Sequence, residues 1–270
     1  MKNNVLTAAI KDGENEVTMQ NLELEKILNA ELKSSEFSDY APNGLQVEGR
    51  TTVRKIVTGV SASQALIDEA IRLDADAILV HHGYFWKNES PIVRGMKKNR
   101  LKSLLTHEIN LYAYHLPLDA HPELGNNARL ANLLGIRTLG ALLENGKPSL
   151  VQYGEFVQQK TGLEVKALLE KQLGRSVLHC GDTGKEKIRS IAWCTGGAQG
   201  YIELAAQEGL DAYVTGEVSE QTIHVAREMG IHFYAAGHHA TERYGIKALG
   251  EWLSSRYDFD VTFVDIDNPA

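Results

Sequence analysis

Apolar residues along the chain alternate between helical spacing and short unbroken runs. Leu22, Leu24, Ile27, Leu28 and Leu32 recur at helical spacing, and Asn21 is placed to cap the helix they predict. Asp39 to Gly49 follows as a turn-rich loop punctuated by Pro42 and by Asn43-Gly44. Lys55 to Val60 is a buried strand, and Ser63 to Leu73 is a helix with Leu66, Ile67, Ala70 and Ile71 towards a core. Ala77 to Val80 is a second short strand, which runs into His81, His82 and Gly83.

The same order returns in the second half. Arg189 to Cys194 predicts a strand, Gln199 to Gln207 a helix, and Ala212 to Thr215 a strand that runs into Gly216 and Glu217. A shift of 135 residues, half the chain, superposes Arg54 on Arg189, Ile56 on Ile191 and Gln64 on Gln199. It also brings Ile67 onto Ile202, Ala70 onto Ala205, and Asp76-Ala77 onto Asp211-Ala212, without a gap. A third strand agrees at another offset, Ile109 to His115 beside Ile231 to His239. Matches in one strand–helix–strand order indicate an internal repeat.

Strands alternating with helices give an α/β class with mixed, mostly parallel sheets flanked by helices. The strand C-termini of such a sheet share one edge, where ligands collect. Residues 1–18 are polar and aperiodic and read as a flexible extension or an upstream start. Residues 19–134 form the first α/β half and 135–270 the second. Between the repeated blocks, Leu130 to Lys187 is less regular. Phe156, Val157, Leu163, Ala167, Leu168 and Leu169 suggest a helix within Gly154 to Leu173, and Cys180 to Gly184 a tight turn.

Composition narrows the function. The 270 residues carry a net charge of -7, which opposes broad binding to phosphate backbones. The basic run Arg94, Lys97, Lys98, Arg100 and Lys102 reads as a solvated helix face. Cys180 and Cys194 fit no CxxC pattern and read as small core residues of a reduced compartment. No apolar run has a membrane span's length, and the N-terminus lacks a secretory signal's apolar stretch, so a cytoplasmic location is expected.

Chemistry concentrates in four clusters beyond apolar strands: His81-His82, His115 with Asp119, Glu217, and His238-His239 with Glu242. They take five of the ten histidines, all just beyond apolar strands. Adjacent histidines on a strand face opposite ways, so His81 and His82 chelate one ion poorly but can serve two neighbouring ions where the strand ends. Pro117 argues for an extended or turned segment at His115 to Asp119. His238 and Glu242, four apart, share a face if the helix whose apolar stripe runs through Ile246, Leu249, Trp252 and Leu253 starts early, or lie one turn apart across its start. Imidazole nitrogen with carboxylate oxygen suits zinc, manganese, iron, nickel or cobalt, and without thiolate a closed structural zinc site is disfavoured. Five such ligands exceed one catalytic ion's usual three and suit an ion pair with a bridging carboxylate.

Several longer segments carry a resemblance: Gly44 to Gly49, Asp76 to Trp86, Tyr114 to Asn127, Cys180 to Gly184, Thr215 to Thr222 and Ala235 to Gly245. From about Met19 to the C-terminus the chain resembles the Nif-three-like dinuclear metal centre family, most closely its bacterial YbgI type, labelled GTP cyclohydrolase I type 2 homologues. The resemblance implies a duplicated, intertwined α/β fold, a homohexameric ring, and two divalent ions per subunit. It implies metal ligands at His81, His82, Asp119, His238 and Glu242. His82 and Asp119 would serve one ion, His81 and His238 the other, and Glu242 would bridge.

The function this points to is a metal-dependent hydrolase acting through a metal-activated water on a nucleotide or related heterocycle. In it His115 shuttles a proton and Glu217 accepts one or holds the substrate. The alternatives are a non-catalytic metal-binding ring scaffold and a ring that associates with nucleic acid, the latter opposed by the acidic balance.

Overall fold

The structure, a computed structural model, describes residues 10–12 and 16–270. The expectation of a flexible extension over residues 1–18 therefore lies partly outside the described residues. The first elements are β1 (Ile10–Asp12), β2 (Glu16–Gln20), α1 (Asn21–Leu32), β3 (Gly44–Val47), β4 (Thr52–Val53), β5 (Lys55–Ser61), α2 (Gln64–Arg72) and β6 (Ala77–His82). They are followed by α3 (Gly95–Thr106), β7 (Asn110–Ala113), α4 (Leu116–Ala120), α5 (Asn126–Leu134), β8 (Ile136–Glu144), β9 (Lys147–Lys160) and α6 (Gly162–Leu173). The last are β10 (Leu178–Cys180), β11 (Ile188–Trp193), α7 (Ile202–Gln207), β12 (Ala212–Thr215), α8 (Glu220–Met229), β13 (His232–Ala235), α9 (His238–Tyr257) and β14 (Asp260–Phe263).

The chain divides into two compact units, Met1–Pro117 with Ile246–Ile266, and Leu118–Gly245 with Asp267–Ala270. These units are not the contiguous sequence halves 19–134 and 135–270.

The first unit carries the sheet β14-β5-β6-β7-β3, parallel except for β3 on β7, and a small antiparallel sheet β1-β2-β4. Its core packs Val57, Leu66, Ile67, Ile78, Val80 and Leu111. The Ser63 hydroxyl accepts from the Leu66 N–H and caps α2, which fixes where that amphipathic helix starts. The second unit carries β10-β13-β12-β11-β9-β8. Only β11-β12-β13 is parallel, so the expectation of mostly parallel sheets holds for the centre of this sheet and not for its flanks. Trp193, Tyr234, Leu169 and Val165 pack one core cluster of this unit, and Tyr213, Phe233 and Ile231 another.

The two parallel triplets share a register. Ile56 pairs with Ala77 on β5-β6, and Ile191, 135 residues on, pairs with Ala212 on β11-β12. Asp76 Oδ2 accepts from the N–H groups of Arg54 and Lys55; Asp211 Oδ2 accepts from those of Arg189 and Ser190. A carboxylate at this place ties the entry of one strand to the entry of the next.

Four local expectations change. Gly44–Val47 is a strand rather than part of a loop, because Leu45 and Val47 find partners on β7. The helix expected from Gly154 begins only at Gly162, where Thr161 and Glu164 form a capping box. Phe156 is buried and Val157 exposed, the alternation of a strand. Asn21 is the first residue of α1 rather than its cap. Leu116–Ala120 is a short helix despite Pro117, which sits in the first turn, where a missing N–H costs no intrahelical bond.

Candidate metal centre

Each parallel triplet delivers polar residues at its C-terminal edge, where open α/β sheets bind their ligands. In the first unit β5 ends on Ser61, β6 on His82, and β7 leads through Tyr114 into His115. One ring nitrogen from each of His81, His82 and His115 lies within 4.8 Å of the others. His81 is fully buried and His115 nearly so.

The ring nitrogens are differentiated by what they touch. His81 Nδ1 donates to the Tyr114 carbonyl at 2.9 Å. His82 Nδ1 lies 3.1 Å from the Ser61 hydroxyl. His115 Nδ1 donates to Asp39 Oδ1 at 2.9 Å. A histidine whose second nitrogen is held by a carboxylate, carbonyl or hydroxyl is the usual outer partner arrangement of a metal ligand. Burial opposes ionisation of Asp39, but hydrogen bonds from His115 and Asn43, the charge of His115 and the Leu116 N–H outweigh it and lower its pKa to about 2. Gly83 must be a glycine: a Cβ there would strike the Gln46 side chain and Ala113, which pack against the turn after His82.

In the second unit β11 leads to Thr195 and Gly196, β12 to Glu217, and β13 to His238. Helix α9 starts at His238, so His238 and Glu242 face the same way, with Nε2 and Oε2 3.1 Å apart. His238 Nδ1 donates to Glu217 Oε1 at 2.7 Å. Gly196, at φ +68°, leaves the space that Glu242 and His238 fill, and a Cβ there would overlap the Glu242 carboxylate. Asp119 is held by the Asn126 side-chain amide at 2.8 Å and the Thr195 hydroxyl at 3.4 Å, both donating to Oδ1. An oxygen of Asp119 lies within 4.8 Å of one of Glu242.

Asp119 and Glu242 are both buried. Two such carboxylates repel, and a cation is what stabilises them. Burial disfavours charge on His238, yet the hydrogen bonds and charges of Glu242 and Glu217 override it and raise its pKa to about 9. The donor set therefore fits a divalent metal of borderline softness: imidazoles with their outer nitrogens engaged, and buried carboxylates whose field, which favours a proton on His238, would equally favour a cation in its place.

The structure thus groups His81, His82 and His115 in one unit, and Asp119, His238, Glu242 and Glu217 in the other. Glu217 is the orienting partner of His238. Sequence reasoning missed Asp39, Thr195 and the pair Asn126-Asn127. Asn127 Oδ1 accepts from the Thr195 N–H and its carbonyl from the Trp193 indole. The only signal for Asp39 was its place at the head of the Asp39 to Gly49 loop.

No helix among the described residues is long and apolar enough to cross a membrane. The profile of the Duf34/NIF3 (NGG1p interacting factor 3) family matches residues 19–269. A Yersinia pestis protein named GTP cyclohydrolase 1 type 2 homolog is 67% identical over 252 residues, 93% of this chain and all of the relative. A solved structure described as protein ybgI of unknown function superposes with a TM-score of 0.90 at 64% identity, covering 93% of this chain and all of that one. TTHA1606 from Thermus thermophilus gives 0.84 at 34% identity with the same coverage.

Proposed function

Because this chain belongs to the Duf34/NIF3 family, we propose that it is a dinuclear metal-binding protein that hydrolyses a nucleotide or related heterocycle. His81, His82, Asp119, His238 and Glu242 would hold the ions, with Glu242 the proposed shared ligand. The observation that carries this reading is that His81 and His238 each donate Nδ1–H to an oxygen acceptor, the outer arrangement of metal-ligating histidines. Zinc, manganese, iron and nickel all match these donors.

Bound there, two ions supply Lewis acidity and bring the pKa of water towards neutrality. The chain's own residues supply the rest. Glu217 fixes the ring of His238. Asn126 and Thr195 hold Asp119 in one orientation. His115, with its proton on Nδ1, has Nε2 as the nitrogen that takes a proton from an attacking group and returns it to a leaving one. The relatives' name, GTP cyclohydrolase 1 type 2 homolog, makes purine nucleotides the first substrates to try. The resemblance further suggests a cytoplasmic homohexameric ring, which light scattering tests directly.

The deciding experiment loads the protein with each metal in turn and follows purine nucleotides and cyclic amides by chromatography. Metal-dependent turnover, absent in His81→Ala, is expected. Full metal loading without turnover of any substrate would overturn the hydrolase and leave a scaffold that carries metal.

A further inference from the structure

His115 is held more completely than a proton carrier on a loop needs to be. Its ring Nδ1 donates to Asp39 Oδ1 at 2.9 Å, and its backbone N–H donates to Asn43 Oδ1 at 2.8 Å. Asp39 is itself fixed: Oδ1 accepts from the N–H of Tyr40 at 2.7 Å, and Oδ2 from the N–H of Leu116 at 3.0 Å and the Asn43 amide at 3.0 Å. The carboxylate side chain is 3% exposed. Tyr40 and Trp86 meet the His115 ring edge-on, with centroids at 5.0 and 5.1 Å. The Asp39–Asn43 segment thus clasps the end of β7 and presents one histidine in one orientation, 5.1 Å from the His81 ring.

From this geometry we infer that Asp39 is a positioning residue, which fixes His115 as the Nδ1–H tautomer and turns its basic Nε2 towards the His81–His82 edge. An ionised carboxylate can only accept, so the proton between the two groups belongs to the imidazole. An unbound imidazole favours the Nε2–H form, so the assignment depends on Asp39. Asp39 touches neither a reacting atom nor a proposed metal ligand; it acts through His115. The inference rests on the reading of that edge as the reacting site only for its purpose. The tautomer itself is independent of turnover.

The test uses full-length protein labelled with ring-¹⁵N histidine, loaded with zinc and studied at pH 8 by magic-angle-spinning NMR. His115 is assigned by the signal lost in His115→Gln. The wild-type protein should show His115 protonated on Nδ1 alone. Asp39→Ala should move most of that population to Nε2–H, whereas Asn43→Ala, which loosens the same loop but leaves the carboxylate, should keep Nδ1–H. An Nε2–H tautomer in the wild type overturns the inference whatever the variants do. An unmoved tautomer in a folded Asp39→Ala protein overturns it too, and assigns Asp39 to loop anchoring alone. Because no outcome depends on substrate, a protein that hydrolyses nothing can still pass, and an active one can still fail.

Discussion

The C-terminal edges of the two parallel triplets share a register and are filled with opposite chemistry. In the first unit β5, β6 and β7 end on Ser61, His82 and, two residues on, His115; in the second β11, β12 and β13 lead to Gly196, Glu217 and His238. Positions 135 residues apart thus carry serine against glycine and imidazole against carboxylate. Ser61 steadies His82. Gly196 instead vacates space for Glu242 and His238. The strand entries have not diverged in this way: Asp76 and Asp211 make the same two backbone contacts. The anchoring ends of the two triplets thus carry the same residue, while their open ends carry, respectively, a nitrogen-rich and an oxygen-rich donor set.

The sharpest way to break that comparison is to remove one donor from each set. If the proposed ion pair is right, His81→Ala or His82→Ala should cost one ion per chain by elemental analysis, and Glu242→Ala, as the proposed bridge, should cost both. Metal that binds only the folded state raises its stability by about 4 kcal/mol at a thousandfold excess over Kd. Chelation should therefore lower the wild-type melting temperature and leave that of Glu242→Ala nearly unmoved. Full occupancy in Glu242→Ala would rule out the bridging role.

A smaller effect is expected where the two units agree. Asp76→Ala and Asp211→Ala each leave two strand-entry N–H groups without their carboxylate, and each should cost about 2–3 kcal/mol in denaturant unfolding. Asp211 also accepts from the Ser190 hydroxyl and Lys185, and Asp76 from Arg50, so the surroundings are comparable. A loss confined to one unit would show that the shared register does not reflect a shared energetic role.

Much of this was legible in the sequence because it is local. The strand–helix–strand blocks announce themselves by apolar runs with caps, and the matched positions Ile56 and Ile191 hold equivalent places in their sheets. The four donor clusters could be located because each follows an apolar run. What could not be read depends on partners distant in the chain. Gly44–Val47 is a strand only because β7 lies beside it. The β9 strand passed for helix because Phe156 and Leu163 lie at helical separation, although Thr161 and Glu164 already marked the true start. Asp39 lies 76 residues from the histidine it holds, and no spacing rule reaches that far.

The smallest effect sharpens the comparison at the third strand. Asn110 and His232 occupy the same register position, paired with Ala77 and Ala212. Asn110 is neutral at every pH and bonds to Gly49, Arg50 and Asp76. His232 instead donates Nε2–H to the Lys185 carbonyl and faces His179 Nε2 across 3.1 Å, while the His179 ring stacks on Tyr234. Burial, the charge of His232 and that of Lys166 lower the pKa of His179 to about 4, against a small opposing pull from Asp182. The unfolded chain therefore takes up this proton first as pH falls below about 6.5. The stabilisation is complete above that pH, declines between about 6.5 and 4, and is gone below. Solvent screening of a partly exposed ring reduces the full linkage to about 1–2 kcal/mol. Urea unfolding at pH 7 and pH 4.5 should show the wild type losing that much more than His179→Gln, since glutamine does not titrate. Equal losses in the two proteins would mean that this histidine pair, which the first unit lacks at Asn110, adds no acid sensitivity to the second.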